Sequence, residues 1–208
     1  MTFYQFARAV VLSLTSLAFR VKVVGKENVP TSGAYIVAPT HRSIFDVPFA
    51  AYITKRTVRF LAKEELFKTG FLDWLFRKLG AVKVDRGAAD RGALRALEAA
   101  LREGSPVALF PEGTRGSGPE LGPLFGGTAY LAVKLGVPIV PVGVGGSEEI
   151  LPKGKRFPRF HRVAVVVGKP LLPPELESRA RRTAATRLTE ELAVELQKSF
   201  DEALRLSG

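Results

Sequence analysis

The strongest constraint on this chain is an alternation of two kinds of segment. Short apolar runs at residues 21–24, 34–38, 58–62, 81–84, 107–110, 138–144 and 163–167 read as strands, and segments with helical spacing lie between them. Helical patterns occupy residues 47–53, 70–79 and 127–135. Another starts at Asp90, an N-cap, places Leu94, Leu97 and Leu101 on one face and stops at Gly104. Strands joined by crossover helices define an α/β fold, a single domain with a largely parallel central sheet flanked by helices. The expected organisation is an N-terminal amphipathic helix at 1–19, an α/β domain at 20–174 and a helical segment at 175–208 that packs through Leu188, Leu192, Leu196 and Leu204.

Composition narrows the partners. The net charge of +11 favours polyanions such as nucleic acid, anionic lipid headgroups or phosphorylated cofactors. With 46% hydrophobic residues and no zinc-finger, RNP-type or basic-leucine pattern, a membrane surface is the better match and nucleic acid is not expected. Cysteine is absent and the two histidines stand far apart, so the sequence offers neither a disulfide framework nor a zinc ligand set.

Residues 3–19 form a helical pattern with Phe3, Phe6, Val10, Leu14 and Leu17 on one stripe. The uncharged run at 9–19 is too short to span a bilayer, and no small-x-small cleavage site follows. Two readings fit: a helix lying in the membrane interface, or one packed on the protein's own core. Trp74, flanked by Arg77 and Lys78, has the same two readings. Lys153, Lys155, Arg156 and Arg159 interleave with Phe157 and Phe160 either as a contact for anionic lipid or donor phosphates, or as a solvated loop.

Chemistry concentrates where the run at 34–38 gives way to Thr40-His41-Arg42-Ser43, with Asp46 entering the next helix. Histidine is the usual general base near neutral pH, and His161, in a basic loop, is a weak rival. Asp46 would orient His41, or Ser43-x-x-Asp46 is simply a capping box with Pro48 in its first turn. In parallel α/β folds ligands gather at the carboxyl ends of strands. Turns at 85–87 and 112–118 would therefore bring Arg86 and Arg115 to the same cleft as His41, a pairing suited to a phosphate-bearing ligand.

These residues carry a resemblance. His41-x4-Asp46, Lys63-Glu-Glu-Leu66, Arg86 after a strand, Phe110-Pro-Glu-Gly-Thr-Arg115 and Val137-Pro-Ile-Val-Pro141 stand in the order of the four motifs of the glycerolipid acyltransferases, specifically the 1-acyl-sn-glycerol-3-phosphate acyltransferase family. The resemblance implies transfer of a fatty acyl group from an acyl-CoA or acyl-carrier-protein thioester to a glycerolipid hydroxyl. His41 would be the base and Asp46 its orienter, with no metal, no cofactor and no acyl-enzyme. Arg86, Glu112, Gly113, Thr114 and Arg115 would position the acceptor, Arg115 foremost on its phosphate, and Lys63 would be a further phosphate ligand. Phe3, Phe6, Trp74, Lys153, Lys155 and Arg156 would meet the membrane or the donor, on the cytoplasmic face of the cell membrane.

The chain also departs from the family pattern. Thr40 stands where asparagine commonly precedes the histidine, and Gly70 and Asp73 replace the usual proline and glycine. Phe125 and Gly126 occupy a stretch that often carries a lysine. The acceptor could then be a lysophospholipid, a monoacylglycerol or glycerol 3-phosphate. A hydrolase or a non-catalytic lipid-binding protein are the readings from other classes.

Overall fold

The computed structural model describes residues 3–50, 52–84, 91–152, 157–174 and 180–208. Seven strands form one sheet in the order β1-β7-β6-β2-β5-β3-β4. They are β1 (Lys22–Val24), β2 (Ile36–Pro39), β3 (Arg59–Lys63), β4 (Ala81–Val84), β5 (Val107–Ala108), β6 (Ile139–Gly145) and β7 (Ala164–Val167). Pairing is parallel throughout except between β6 and β7. The reversal has a local cause. Among the described residues between β6 and β7 the one helix is the four-residue α6 (Ser147–Ile150), too short for a crossover, and the chain returns beside the strand it has just left.

Side chains of successive strand residues point to opposite faces and build two cores. Ile36, Ala38, Val107 and Ile139 pack under α4 (Arg91–Arg102), α5 (Gly127–Leu135) and α7 (Arg181–Ser207). On the other face Val37, Val140, Val142, Val144 and Val165 pack with Phe19 at the end of α1 (Phe3–Phe19) and Phe49 of α2 (Asp46–Ala50). A smaller cluster places Phe67 against Phe76 of α3 (Gly70–Lys78).

Helix α7 lies on β6 more closely than side chains would permit. A Cβ on Gly143 would stand 2.2 Å from the Ser199 carbonyl oxygen, and one on Gly145 would stand 2.4 Å from that of Ala203. Two glycines on the same strand face thus let helix backbone rest on sheet backbone.

Several boundaries differ from expectation. The strand at 34–38 was expected to stop before Pro39, but it continues through Pro39, whose missing N–H is followed by a bond from the Thr40 N–H to the Val142 carbonyl. The helix expected at 47–53 is the shorter α2, and the expected tail helix is seen from Arg181. Asp90 lies outside the described residues. No helix among those described is long and apolar enough to cross a membrane.

The stripe seen in α1 is the face that looks outward. Phe6, Val10, Leu14 and Leu17 are exposed, Leu17 to 84%. Leu12, Ala18 and Phe19 turn to the domain, where the Tyr52 hydroxyl donates to the Leu12 carbonyl at 2.6 Å and pairs with the Thr15 hydroxyl. At the other end of α1, Phe3 meets Trp74 at a ring-centroid distance of 4.7 Å, so two segments far apart in sequence share one apolar surface with exposed Phe71.

Candidate active site

The site sits at the carboxyl edge of β2 and β6, where the first polar residue extends the sheet. Thr40 is fully buried, and its hydroxyl accepts the Val144 N–H at 2.9 Å. The loop that follows is wound around one carboxylate oxygen. Asp46 Oδ2 accepts the backbone N–H groups of Arg42 at 2.6 Å and Ser43 at 2.7 Å, and lies 3.2 Å from His41 Nδ1. Asp46 is fully buried while His41 keeps 14% of its side chain exposed. An ionised carboxylate only accepts, so Nδ1 carries the proton in this contact and the Nε2 lone pair is left for a substrate.

One oxygen of Asp46 thus meets both geometric requirements, contact with the imidazole and capping of the helix. Its carboxylate supplies the side-chain-to-backbone half of a capping box through the Ser43 N–H. The reciprocal half is missing, since Ser43 Oγ has no hydrogen-bond partner.

The loop at 110–118 closes on the histidine. Phe110 lays its ring 4.1 Å from the imidazole, tilted by 31°. Glu112 Oε1 accepts the His41 N–H at 3.0 Å, and the Gly116 N–H donates to the His41 carbonyl at 2.9 Å. The other Glu112 oxygen lies 2.6 Å from Arg42 Nη1, with the two side chains only 3% and 1% exposed. Arg42 also donates to the carbonyls of Gly118 and Glu120 and stacks its guanidinium over Phe200 of α7, 4.9 Å from the ring centre.

Both Glu112 oxygens are engaged with the histidine loop, Oε1 on the His41 N–H and Oε2 on Arg42. The N–H groups of Gly113 and Thr114, expected to be open to a ligand, are spent on the carbonyls of Phe110 and Glu112. Gly113 adopts φ +67°, and a Cβ there would meet the Phe125 ring at 2.8 Å. The Thr114 side chain is exposed, as is Arg115, which makes no ion pair among the described residues.

Arg115 immediately precedes the Gly116–His41 bond, which places its backbone at the rim of the histidine site. Lys63 ends β3 at the same sheet edge, but its side chain lies outside the described part, as do Arg86, Lys153, Lys155 and Arg156 entirely. His161, the weak rival, donates Nδ1–H to the Arg162 carbonyl and makes no carboxylate contact among the described residues. The sequence assigns Arg42 no role of its own, and marks Thr40 only as a departure from the family pattern and Phe110 only as the start of a motif. The only signal for Arg42 was its place between a candidate base and that base's orienter.

A fully buried carboxylate behind an imidazole that keeps 14% of its side chain exposed, at the carboxyl edge of a largely parallel sheet, is a geometry suited to general-base chemistry. The acyltransferase family matches residues 20–145. The chain is 30% identical over 206 residues to the 1-acyl-sn-glycerol-3-phosphate acyltransferase of Bacillus subtilis (strain 168), covering 96% of this chain and 99% of that one. It is also 30% identical to a 1-acyl-sn-glycerol-3-phosphate acyltransferase of Chlamydomonas reinhardtii, over 86% of this chain and 56% of that protein. Its fold is similar to the crystal structure of the 1-acyl-sn-glycerophosphate acyltransferase PlsC from Thermotoga maritima, with a TM-score of 0.67 and 30% identity over 92% of this chain and 83% of that one. The chain belongs to the acyltransferase family and, within it, to the 1-acyl-sn-glycerol-3-phosphate acyltransferases.

Proposed function

We propose that this O-acyltransferase moves a fatty acyl group from an acyl-CoA or acyl-carrier-protein thioester to the free hydroxyl of 1-acyl-sn-glycerol 3-phosphate, giving phosphatidic acid. The observation that carries the reading is the His41 Nδ1 to Asp46 Oδ2 contact of 3.2 Å, with the loop bearing Arg115 fastened to the His41 carbonyl. Nε2 of His41 takes the proton of the acceptor hydroxyl as its oxygen attacks the thioester carbonyl. The tetrahedral intermediate collapses by breaking the carbon–sulfur bond, and the departing thiolate receives that proton from the imidazolium. Asp46 holds the tautomer and stabilises the transient cation. The thioester is already activated, so the mechanism needs neither an acyl-enzyme nor a metal. Arg115, with Arg86 and Lys63, holds the acceptor's phosphate.

The enzyme works as a peripheral protein on the cytoplasmic face of the cell membrane, with the outward stripe of α1, including Phe6, and the Phe3–Trp74 contact toward the lipid. Lys153, Lys155 and Arg156 add cations toward anionic headgroups or the donor's phosphates. The test is labelled acyl-CoA with and without lysophosphatidic acid, on wild type and His41→Ala. Acceptor-stimulated thiol release with a diacyl product, lost in His41→Ala, supports the reading. Free fatty acid without an acceptor would make the protein a hydrolase, and lysolipid binding without turnover would make it a binding protein.

A second acceptor reading has one observation in its favour. Phe125, 67% exposed, lays its ring over Gly113 in a stretch where a lysine is common in the family. Mass spectrometry of products across lysophosphatidic acid, other lysophospholipids, monoacylglycerol and glycerol 3-phosphate decides between them.

A further inference from the structure

The chain passes from α1 into β1 through Arg20, which has φ +46° and is the sole described non-glycine residue with positive φ. Its N–H still reaches the Ser16 carbonyl at 2.9 Å, so it occupies the left-handed position that ends a helix, where glycine is the usual choice. A large cation kept in a strained conformation points to a use for the side chain. That side chain lines a groove of about 600 Å³ with His161, Arg162, Leu14, Leu17 and Phe160. No acidic residue lines it, and neither Arg20 nor Arg162 has a side-chain partner among the described residues. Leu14, Leu17 and Phe160 are 63%, 84% and 86% exposed.

Two backbone bonds fix the cations relative to one another: the Val163 N–H donates to the Phe19 carbonyl at 3.0 Å, and the Lys22 N–H to that of Val163 at 2.9 Å. The β6–β7 reversal pairs Ala164 with Gly145 at the carboxyl end of β6, which puts the groove on the same sheet edge as His41. Two strand spacings, on the order of 10 Å, separate β7 from β2.

We infer that this groove binds the headgroup of an anionic phospholipid of the host membrane, with the phosphate between Arg20 and Arg162 and an acyl chain along Leu14 and Leu17. Two guanidiniums with no partner among the described residues supply charge complementarity to a phosphodiester, and the exposed aliphatic wall on one side suits a chain rather than a soluble polyanion. His161 donates Nδ1–H to the Arg162 carbonyl, which holds its ring beside that arginine in the groove. The inference rests on the peripheral-membrane reading above but assigns the lipid contact to a defined site.

The test uses the full chain and vesicles of phosphatidylcholine alone or mixed equally with phosphatidylglycerol. Arg20→Asn with Arg162→Gln keeps a residue that tolerates the left-handed conformation and should lower affinity for the mixed vesicles about 25-fold, near fivefold per cation. Binding to phosphatidylcholine alone should not change. Arg162→Gln by itself should give roughly fivefold with an unaltered melting temperature. Arg181→Gln with Arg182→Gln, the same charge change on α7, should cost less than about threefold if location matters. Equal losses in the two double variants, or no loss in the first, overturn the site. A raised KM for acyl-CoA in neutral detergent overturns it in favour of the donor's phosphates. Inorganic phosphate at matched ionic strength displacing wild type from mixed vesicles would assign the cations to free phosphate. Wild type that ignores both vesicle types would sink the membrane reading itself, whereas an inactive His41→Ala that still binds vesicles would leave both standing.

Discussion

Arg42 and Glu112 lie side by side in the interior, Nη1 2.6 Å from Oε2, and tie the histidine loop to the 110–118 loop as one body. Neither group can be removed without stranding the other charge. Glu112→Ala should therefore lower stability by about 3–5 kcal/mol, which in a domain of this size is roughly 10 °C of melting temperature. Thermal unfolding checks it, and an unchanged midpoint would show that the pair holds nothing.

Asp46→Asn tests the orienting role. The amide oxygen can still accept the Arg42 and Ser43 N–H groups, so the loop should fold with a cost of no more than about 2 kcal/mol. The amide cannot stabilise the imidazolium, and kcat should fall at least about a hundredfold. Steady-state kinetics paired with urea unfolding separates the effects, and a fully active variant would leave Asp46 as a cap alone.

Arg115→Gln should behave differently from Glu112→Ala. Arg115 is exposed and spends no hydrogen bond on the loop, so the melting temperature should hold. Loss of a bidentate phosphate contact should raise the acceptor KM about tenfold or more. If kcat and stability fall instead with KM constant, the arginine is structural.

Gly143→Ala places a methyl 2.2 Å from the Ser199 carbonyl oxygen, and the nearest atoms it meets all belong to the helix backbone, with no flexible side chain to yield. The cost should reach about 2–3 kcal/mol. Gly127→Ala, in α5 with no atom within 4 Å, should be neutral or stabilising by up to about 1 kcal/mol. Denaturant midpoints of the two variants make the comparison.

Burial, the largest influence, raises Tyr52 above its usual value, against the lowering effect of the Thr15 hydroxyl. The folded state thus keeps a proton that the unfolded chain releases near pH 10. The contribution is complete below that pH and is lost as pH rises through the higher folded-state value. Wild type should lose stability more steeply than Tyr52→Phe above about pH 10. Parallel curves would show that the phenol does not help hold α1.

The strand and helix alternation was legible because each run is either apolar or amphipathic, and α1, β4 and α5 begin and end where the pattern places them. The direction of β7 was harder to see, because strand residues look the same in either direction. Only the lack of a helical pattern before Val163 hinted at it. His41, Asp46 and Arg115 stand out in the sequence because ordered motifs mark them. The buried pairing of Arg42 with Glu112 was not legible, since a charged residue in a polar turn gives no sign that it will be buried. The outward stripe of α1 was visible as a stripe, but which way it faced depended on where Tyr52 and Phe19 fasten the helix.

Phe200 stacks over the Arg42 guanidinium, and Gln197 accepts the Leu121 N–H at 2.9 Å and donates to the Pro119 carbonyl at 3.0 Å. A clipped or partly refolded chain could keep its sheet and its imidazole yet lose the brace behind the neighbouring arginine. Turnover would then report on whether one distant helix is seated, well before any spectroscopic signal of the sheet has changed.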